Sequence, residues 1–348
     1  MLIIYNSLVY FILKMIGFSI LFELVFLKIC KIISTSIIIV MPVFFLAIWK
    51  IRRKNKHTFQ LPIPINWCEV GKISNICIYP LKSGKSKNLN LAYCSEFGIR
   101  EEVQGEKLSL IDSSFVLYDE ITNKKLNCQD NSQISSVEVK AINKHTVSFI
   151  CPGYDSLMIE IPSTRNKKQV KNFTVKWFGE NIQVLDCGEE ASNWFTKTIV
   201  RKGNNRCRLG YFVRDINTTS KNRGSFKCIF NMNNEKYEDR TTCYRDISTF
   251  VIMTEISLKE VNKSADKQLN INNPNIIIEG VDKAFEEETW DWLKIGDKVV
   301  SRSFKEWKRL STDADKMVEN GKPQGVPMAL YRMGSIKVGD AVYISCSR

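Results

Sequence analysis

The chain has 348 residues, room for one large or two modest domains, and carries 50 Lys and Arg against 37 Asp and Glu, a formal net charge of +13. That excess points to an anionic partner, yet no stretch interleaves basic and aromatic residues as a nucleic-acid module does. His57 in a basic cluster and His145 in a polar turn read as surface residues, and 11 cysteines occur without one C-x-x-C pair. His-dependent hydrolysis, a zinc site and a disulfide framework are therefore disfavoured, and free thiols in a reducing compartment are the expectation.

Residues 2–49 are overwhelmingly apolar. Ile32 to Trp49 bears no charge and is about long enough to cross a bilayer's hydrocarbon core as a helix. Pro42 is tolerated there. Trp49 suits the interface, and Lys50, Arg52, Arg53, Lys54 and Lys56 suit the cytosolic side. The earlier stretch, 2–30, is interrupted by Lys14, Glu23 and Lys28, and reads either as a second span of a helical hairpin or as an interfacial segment. It lacks a small-residue cleavage site, so a retained membrane anchor over 1–56 is expected rather than a signal peptide. A polar linker marked by Pro62 and Pro64 fills 57–67.

Beyond the linker the chain reads as short β-type runs separated by turn clusters. The alternation Ile73-Ser74-Asn75-Ile76-Cys77 opens the series. Residues 115–118, 137–141, 146–150, 174–177 and 182–185 continue it. This spacing predicts a mainly β fold with a few helices (α+β), barrel or sandwich rather than doubly wound. Helical periodicity appears over 189–200 and 258–265, and an acidic, irregular stretch over 283–292. A domain boundary is expected in the basic, glycine-containing run 201–205, giving units 68–200 and 201–348. Residues 218–239, rich in Asn, Lys and Ser, read as a long loop.

The stretch Ile78-Tyr79-Pro80-Leu81-Lys82-Ser83 carries the chemistry. Pro80 lacks an N–H and ends the strand ladder. Lys82 and Ser83 are left at the strand's mouth, a point charge beside a directional donor, which suits a phosphate. An ordinary strand end with a solvated lysine is the alternative. Gly84-Lys85-Ser86 looks like the end of a P-loop, but Tyr79 stands where its first glycine belongs.

Tyr-Pro-x-Lys-Ser after a first strand resembles the opening of the N-terminal β-barrel domain paired with MOSC domains, in the amidoxime-reducing family. Four further stretches agree in order. Gly98-Ile99-Arg100 resembles the family's Gly-Leu-Arg, and Asp186-Cys187-Gly188-Glu189 its Asp-Cys-Gly-Glu. The run from Ser248 to Leu258 resembles its Ser-Pro-Phe-Leu-Ile…Glu-Ala-Ser-Leu. Gly296-Asp297 and Gly339-Asp340 resemble its two Gly-Asp turns. The likeness spans about residues 70–345. It implies an N-terminal MOSC-type barrel followed by a MOSC barrel.

The resemblance also implies a molybdenum–molybdopterin cofactor held by its phosphate, reduction of N-hydroxylated small molecules, and electrons from a cytochrome b5-type donor and its NADH reductase. It implies an anchor in the mitochondrial outer membrane with the soluble part in the cytosol. Carried over residue by residue, the cofactor-binding set is Lys82, Ser83, Lys107 (an arginine in the family), Asp246, Ser248 and Asn273 (again an arginine in the family). The family's metal-ligating cysteine ends a Cys-x-Arg-Cys motif. Counted from Gly296-Asp297, those positions read Glu306-Trp307-Lys308-Arg309. An arginine stays protonated and offers molybdenum no lone pair, so no metal ligand is assigned. The alternative function is a catalytically inactive MOSC-fold protein that binds molybdopterin or another anion, or serves as an interaction module.

Overall fold

The computed structural model describes residues 62–95, 97–103, 105, 107–128, 131–162, 172–177, 180–199, 206–212, 228–232, 235–239, 249–264, 274–303 and 325–346. The expected anchor, the run 201–205, Asp246, Ser248, Asn273 and the 306–315 stretch lie outside the described residues. Among the described residues no helix is long and apolar enough to cross a membrane.

The protein is mainly β. In chain order the strands are β1 (Trp67–Ile78), β2 (Lys87–Leu89), β3 (Leu91–Ser95), β4 (Gly98–Glu101), β5 (Phe115–Asp119), β6 (Glu138–Ala141), β7 (Thr146–Ile150), β8 (Leu157–Glu160), β9 (Asn172–Trp177) and β10 (Glu180–Asp186). Helix α1 (Glu189–Ile199) follows, then β11 (Cys207–Tyr211), β12 (Cys228–Met232), β13 (Glu235–Asp239) and β14 (Phe250–Thr254). Helix α2 (Glu255–Ser264) precedes β15 (Ile276–Glu279), β16 (Trp292–Ile295), β17 (Val299–Ser303), β18 (Val326–Arg332), β19 (Gly334–Lys337) and β20 (Ala341–Ser345).

Seven strands close a barrel in the order β15-β14-β18-β17-β16-β20-β1, and β1 returns to β15. Six of the seven come from the second half of the chain. The seventh is the first strand described. Two barrels in succession were expected, but β1 is a stave of the C-terminal barrel. Without it β15 and β20 would each expose an open edge, with unpaired N–H and C=O groups. Its length makes this possible: Trp67–Lys72 pairs with β20, while Lys72–Ile76 pairs with β15.

β2 pairs with the end of β1 in the same sheet, and other strands form smaller sheets. These are β5-β11-β10-β9 and β6-β7-β8, with β19-β3-β4 joining both halves. Phe115, Phe149 and Phe195 stack edge-on at 5.2 and 5.3 Å between ring centroids, and belong to the same buried cluster as Ile73, Ile76 and Ile78. One apolar core therefore runs from the barrel into the N-terminal sheets. Residues 228–232 and 235–239, read from sequence as loop, pair as an antiparallel hairpin. Each strand of the pair spans five residues, too short for its alternation to stand out from the polar surroundings.

β14 and β15 run parallel, as a strand–helix–strand crossover through α2 permits. This helix starts three residues before the expected position because its N-terminus is capped from a distance. Thr254 and Ser257 donate their hydroxyls to the buried Glu287 carboxylate at 3.0 and 2.9 Å, and the Thr254 N–H reaches it at 3.1 Å. A carboxylate at that end also opposes the positive pole of the helix.

A disulfide joins Cys68 to Cys346, a correction to the expectation of free thiols throughout. The two cysteines stand 278 positions apart, and no sequence spacing links them.

Barrel closure depends on Gly71, where β1 passes β15. A Cβ there would lie 2.0 Å from the Glu279 carbonyl oxygen, which lies in backbone and cannot swing away. Gly71→Ala is expected to destabilise the fold by about 1–3 kcal/mol or more, the range for forced overpacking. Urea unfolding of the variant beside wild type checks this, and an unchanged midpoint would refute it.

Candidate functional site

The chain leaves β1 at Ile78 and returns as β2, and the hairpin loop between them holds Lys82 and Ser83. Its shape is set by backbone bonds to the strand after it in the fold, β5. Ser113 N–H donates to Tyr79 O, Phe115 N–H to Pro80 O and Lys82 N–H to Phe115 O, each at 2.8 Å. Gly84 N–H donates to Leu81 O at 2.8 Å, and Lys85 N–H to Val137 O at 2.9 Å. Leu81 is fully buried and Gly84 is buried, whereas Lys82 and Ser83 between them are half-buried. Burying the flanking residues thus holds the lysine and serine at the tip. Ser83 takes φ 64° and Ser113 φ 50°, left-handed conformations that cost a residue with a Cβ and persist only where the surroundings enforce them.

Around Ser113 lies a polar clamp. The Asp112 carboxylate accepts from Tyr79 N–H at 2.8 Å, from Asn275 Nδ2 at 3.1 Å and from Ser113 Oγ at 3.0 Å. Asn275 is buried and also donates to Cys77 O at 3.2 Å, while its Oδ1 accepts from Val251 N–H at 2.9 Å. One asparagine thereby ties the end of β1, the start of β14 and the 112–115 turn together. Gly98 lies against the same place. With φ +103°, a Cβ on it would face Thr249 O at 3.6 Å and Asp112 Cβ at 3.9 Å.

Five stretches distant in sequence therefore converge: 79–83, Gly98, 112–115, Thr249 and Asn275. Burial, then the neighbouring Cys77 and Asp112, pushes the Tyr79 phenol well above its ordinary value. Burial and Asp112 likewise push the Cys77 thiol up to about 11. Both groups are protonated at neutral pH. Cys77 Sγ donates to Asn88 Oδ1 at 3.2 Å.

Of the residues expected from sequence, Lys82 and Ser83 share this tip. Lys107 is exposed on the loop between β4 and β5, where the neighbouring Leu108 N–H bonds Asn143 O at 3.2 Å. Asp246, Ser248 and Asn273 lie outside the described residues, while Asn275, close to Asn273 in sequence, belongs to the clamp, and Thr249 O faces Gly98 beside it. Asp112 was not singled out from sequence. Its stretch, Ile111-Asp112-Ser113-Ser114, reads as an ordinary turn, and its role comes from partners 33 and 163 residues away. Among the described residues no group of three or more His, Cys, Asp or Glu side chains forms a metal site.

The Asp186-Cys187-Gly188-Glu189 motif serves a different purpose. Arg208, 5% exposed, grips Asp186 with two parallel bonds, Nε–Oδ2 at 2.7 Å and Nη2–Oδ1 at 2.8 Å. Its Nη1 reaches Glu120 at 2.6 Å and Glu189 at 2.9 Å. Tyr118 OH and Gly188 N–H also donate to Asp186. Burial works to raise the Asp186 carboxyl, but the guanidinium, the Gly188 N–H and the Tyr118 hydroxyl outweigh it and hold the group below its ordinary value. The motif is thus an ion cluster joining β10, β11, β5 and α1, with a bidentate geometry that lysine does not reproduce. Cys187 stays protonated through burial and packs on the core.

Arg208→Ala leaves Asp186 buried without its partner, and is expected to cost about 3–5 kcal/mol; a midpoint within error of wild type would refute the assignment. The pH dependence follows from the depressed carboxyl. Its stabilisation is complete above the ordinary carboxylate value of about 3.9 and is lost as pH falls through the lower folded-state value. Asp186→Asn is expected to flatten that acid limb of the stability curve.

Comparison with known proteins agrees with these motifs. The profile of the family described as MOSC N-terminal beta barrel domain matches residues 70–202. The chain is 28% identical over 304 residues to mitochondrial amidoxime reducing component 2 of Bos taurus, covering 79% of this chain and 83% of that protein. It is 25% identical over 303 residues to the Homo sapiens protein of the same name, covering 79% and 84%. Mitochondrial amidoxime-reducing component 1 of Homo sapiens is 24% identical over 311 residues, covering 79% and 83%. Residues 70–202 thus match the MOSC N-terminal beta barrel domain, and the chain is similar, over most of its length, to the mitochondrial amidoxime reducing components.

Proposed function

We propose that this chain is a MOSC-family, molybdenum-cofactor-associated protein that holds the phosphate of a pyranopterin at the Lys82–Ser83 tip. The observation that carries this reading is the tip itself. A cation and a hydroxyl stand side by side on a loop whose backbone is fixed by β5 and by the Asp112–Asn275 clamp. Such a loop binds an anion without first having to order. The Asp112 charge does not oppose that role strongly, because three donors already engage it. When bound, the cofactor would supply redox chemistry that protein side chains lack. Lys82 would neutralise the phosphate and Ser83 would orient it.

The residues fit the phosphate better than they fit the metal. The family's thiolate position reads Arg309, and Cys77 beside the tip is protonated and hydrogen-bonded to Asn88. No reductive step is therefore derived. A second reading, reduction of N-hydroxylated compounds with a cytochrome b5-type donor and its NADH reductase, draws support from the names of the relatives. The uncharged stretch 32–49 and the basic cluster behind it support a membrane anchor with the remainder in the cytosol. The word mitochondrial in those names supports the outer membrane of that organelle. The division into units 68–200 and 201–348, with β1 lent to the second, is part of the same reading.

The test is the full chain, purified in detergent from a host that makes the cofactor, assayed for oxidised pterin fluorescence and elemental molybdenum. Pterin near one per chain is expected, weakening with salt. Lys82→Ala is expected to lower retention about 10-fold or more, the loss of one charge-assisted bond. Folded wild type without pterin would overturn the proposal. Molybdenum in equal amount, with turnover of an N-hydroxylated substrate, would establish the second reading instead.

A further inference from the structure

The barrel seam between its first and last strands is crossed by one covalent bond. Cys68 is the second residue of β1 and Cys346 directly follows β20, with their Cα atoms 5.6 Å apart. Strand register brings them there. Trp67 stands opposite Ser345 and Cys68 opposite Ile344, while Cys346 N–H continues the ladder to Asn66 O at 3.2 Å. The two sulfurs therefore extend the face that carries Ile344 and, beside it on β16, Leu293, and they meet across a spacing that disulfide geometry accepts.

Accessibility sets Cys68 apart. Cys68 is exposed and Cys346 half-buried. Among the described free thiols, Cys128 and Cys187 are half-buried, and Cys77, Cys94, Cys151 and Cys207 are buried. Burial pushes Cys77 up to about 11 and Cys207 up to about 12, and the thiolate is the species that attacks a disulfide. Cys77 and Cys207 are poor competitors, both in access and in ionisation.

We propose that Cys68 and Cys346 form a thiol–disulfide exchange site that takes a small disulfide of the oxidised-glutathione class and latches the barrel seam. In the closing direction the Cys68 thiolate attacks one sulfur of the small disulfide. The small S–S bond breaks, a mixed disulfide forms on Cys68 and one small thiol leaves. The Cys346 thiolate then attacks the Cys68 sulfur and expels the second small thiol. The protein loses two electrons and two protons, and the small disulfide becomes two thiols. Two small thiols reverse the sequence and open the latch. The bond ties two positions 278 residues apart, so it constrains the unfolded chain strongly and holds the start of β1 against fraying. Lys82 and Ser83 follow the other end of this strand, about 33 Å away at ~3.3 Å per residue. The latch acts independently of the anion site and does not rest on the function proposed for it.

The experiment uses the full chain equilibrated in reduced/oxidised glutathione mixtures, acid-quenched, alkylated and analysed by peptide mass spectrometry. A linked Cys68–Cys346 peptide is expected, vanishing in a single two-electron transition as the mixture becomes more reducing. Cys94 and Cys207 are expected to stay unlinked throughout. Protease cleavage within 62–70 should be several-fold slower in the oxidised chain. Cys68→Ser, Cys346→Ser and the double variant should all cleave at one common rate, that of the reduced wild type. Alkylation of both cysteines in the most oxidising mixture overturns the site. A linked peptide that survives the most reducing mixture overturns the exchange, and identical cleavage in both redox states overturns the latch.

Discussion

β1 is the constraint on which the rest depends. It completes a hydrogen-bonded ring that six C-terminal strands leave open, and its two edges are satisfied in part by different neighbours along its length. Closing a sheet removes its edges altogether, which no loop or charged side chain does as completely. The same strand delivers Lys82 and Ser83 at its far end and Cys68 at its near end. Barrel closure, the Lys82–Ser83 tip and the covalent seam are therefore carried by one strand, at separate points along it. The tight passage at Gly71, faced by Gly280 on β15's exit, is what lets β1 lie close enough to serve all three.

Three carboxylates inside this frame share one arrangement. Each collects several donors: Asp112 from a backbone N–H, an amide and a hydroxyl, Glu287 from two hydroxyls and a backbone N–H, and Asp186 from a guanidinium, a phenol and a backbone N–H. An unsatisfied buried carboxylate is costly, and a satisfied one fixes the elements that donate to it. Asp112 fixes the tip, Glu287 the start of α2 and Asp186 the β5–β10–β11 corner. Motifs that look alike in sequence, short and polar, thus divide into one that presents chemistry and two that hold the framework.

Much of the local structure is legible in residue patterns. The alternation at Ile73–Cys77 lies inside β1, the runs at 115–118 and 146–150 are β5 and β7, and the periodicity at 189–200 is α1. Pro80 ends the strand as its missing N–H requires. The hairpin at 228–239 and the earlier start of α2 escaped because their signals are short or supplied from elsewhere. Glu287 caps α2 from some 30 residues away, and no local window contains it.

By itself the sequence determined a β-rich chain, an uncharged apolar stretch before it, the placing of a lysine and a serine just past a proline, and the lack of any cysteine between Cys243 and Cys346. These are properties of neighbouring residues or of ordered motifs. Only the tertiary structure decided that β1 belongs to the C-terminal barrel, that Asp112 and Asn275 clamp the tip, that the Asp-Cys-Gly-Glu motif is an ion cluster, and that Cys68 meets Cys346. Each of those depends on contacts between distant segments, formed because burying one continuous core brings the segments together and because backbone and charged groups excluded from water must find partners wherever the fold supplies them.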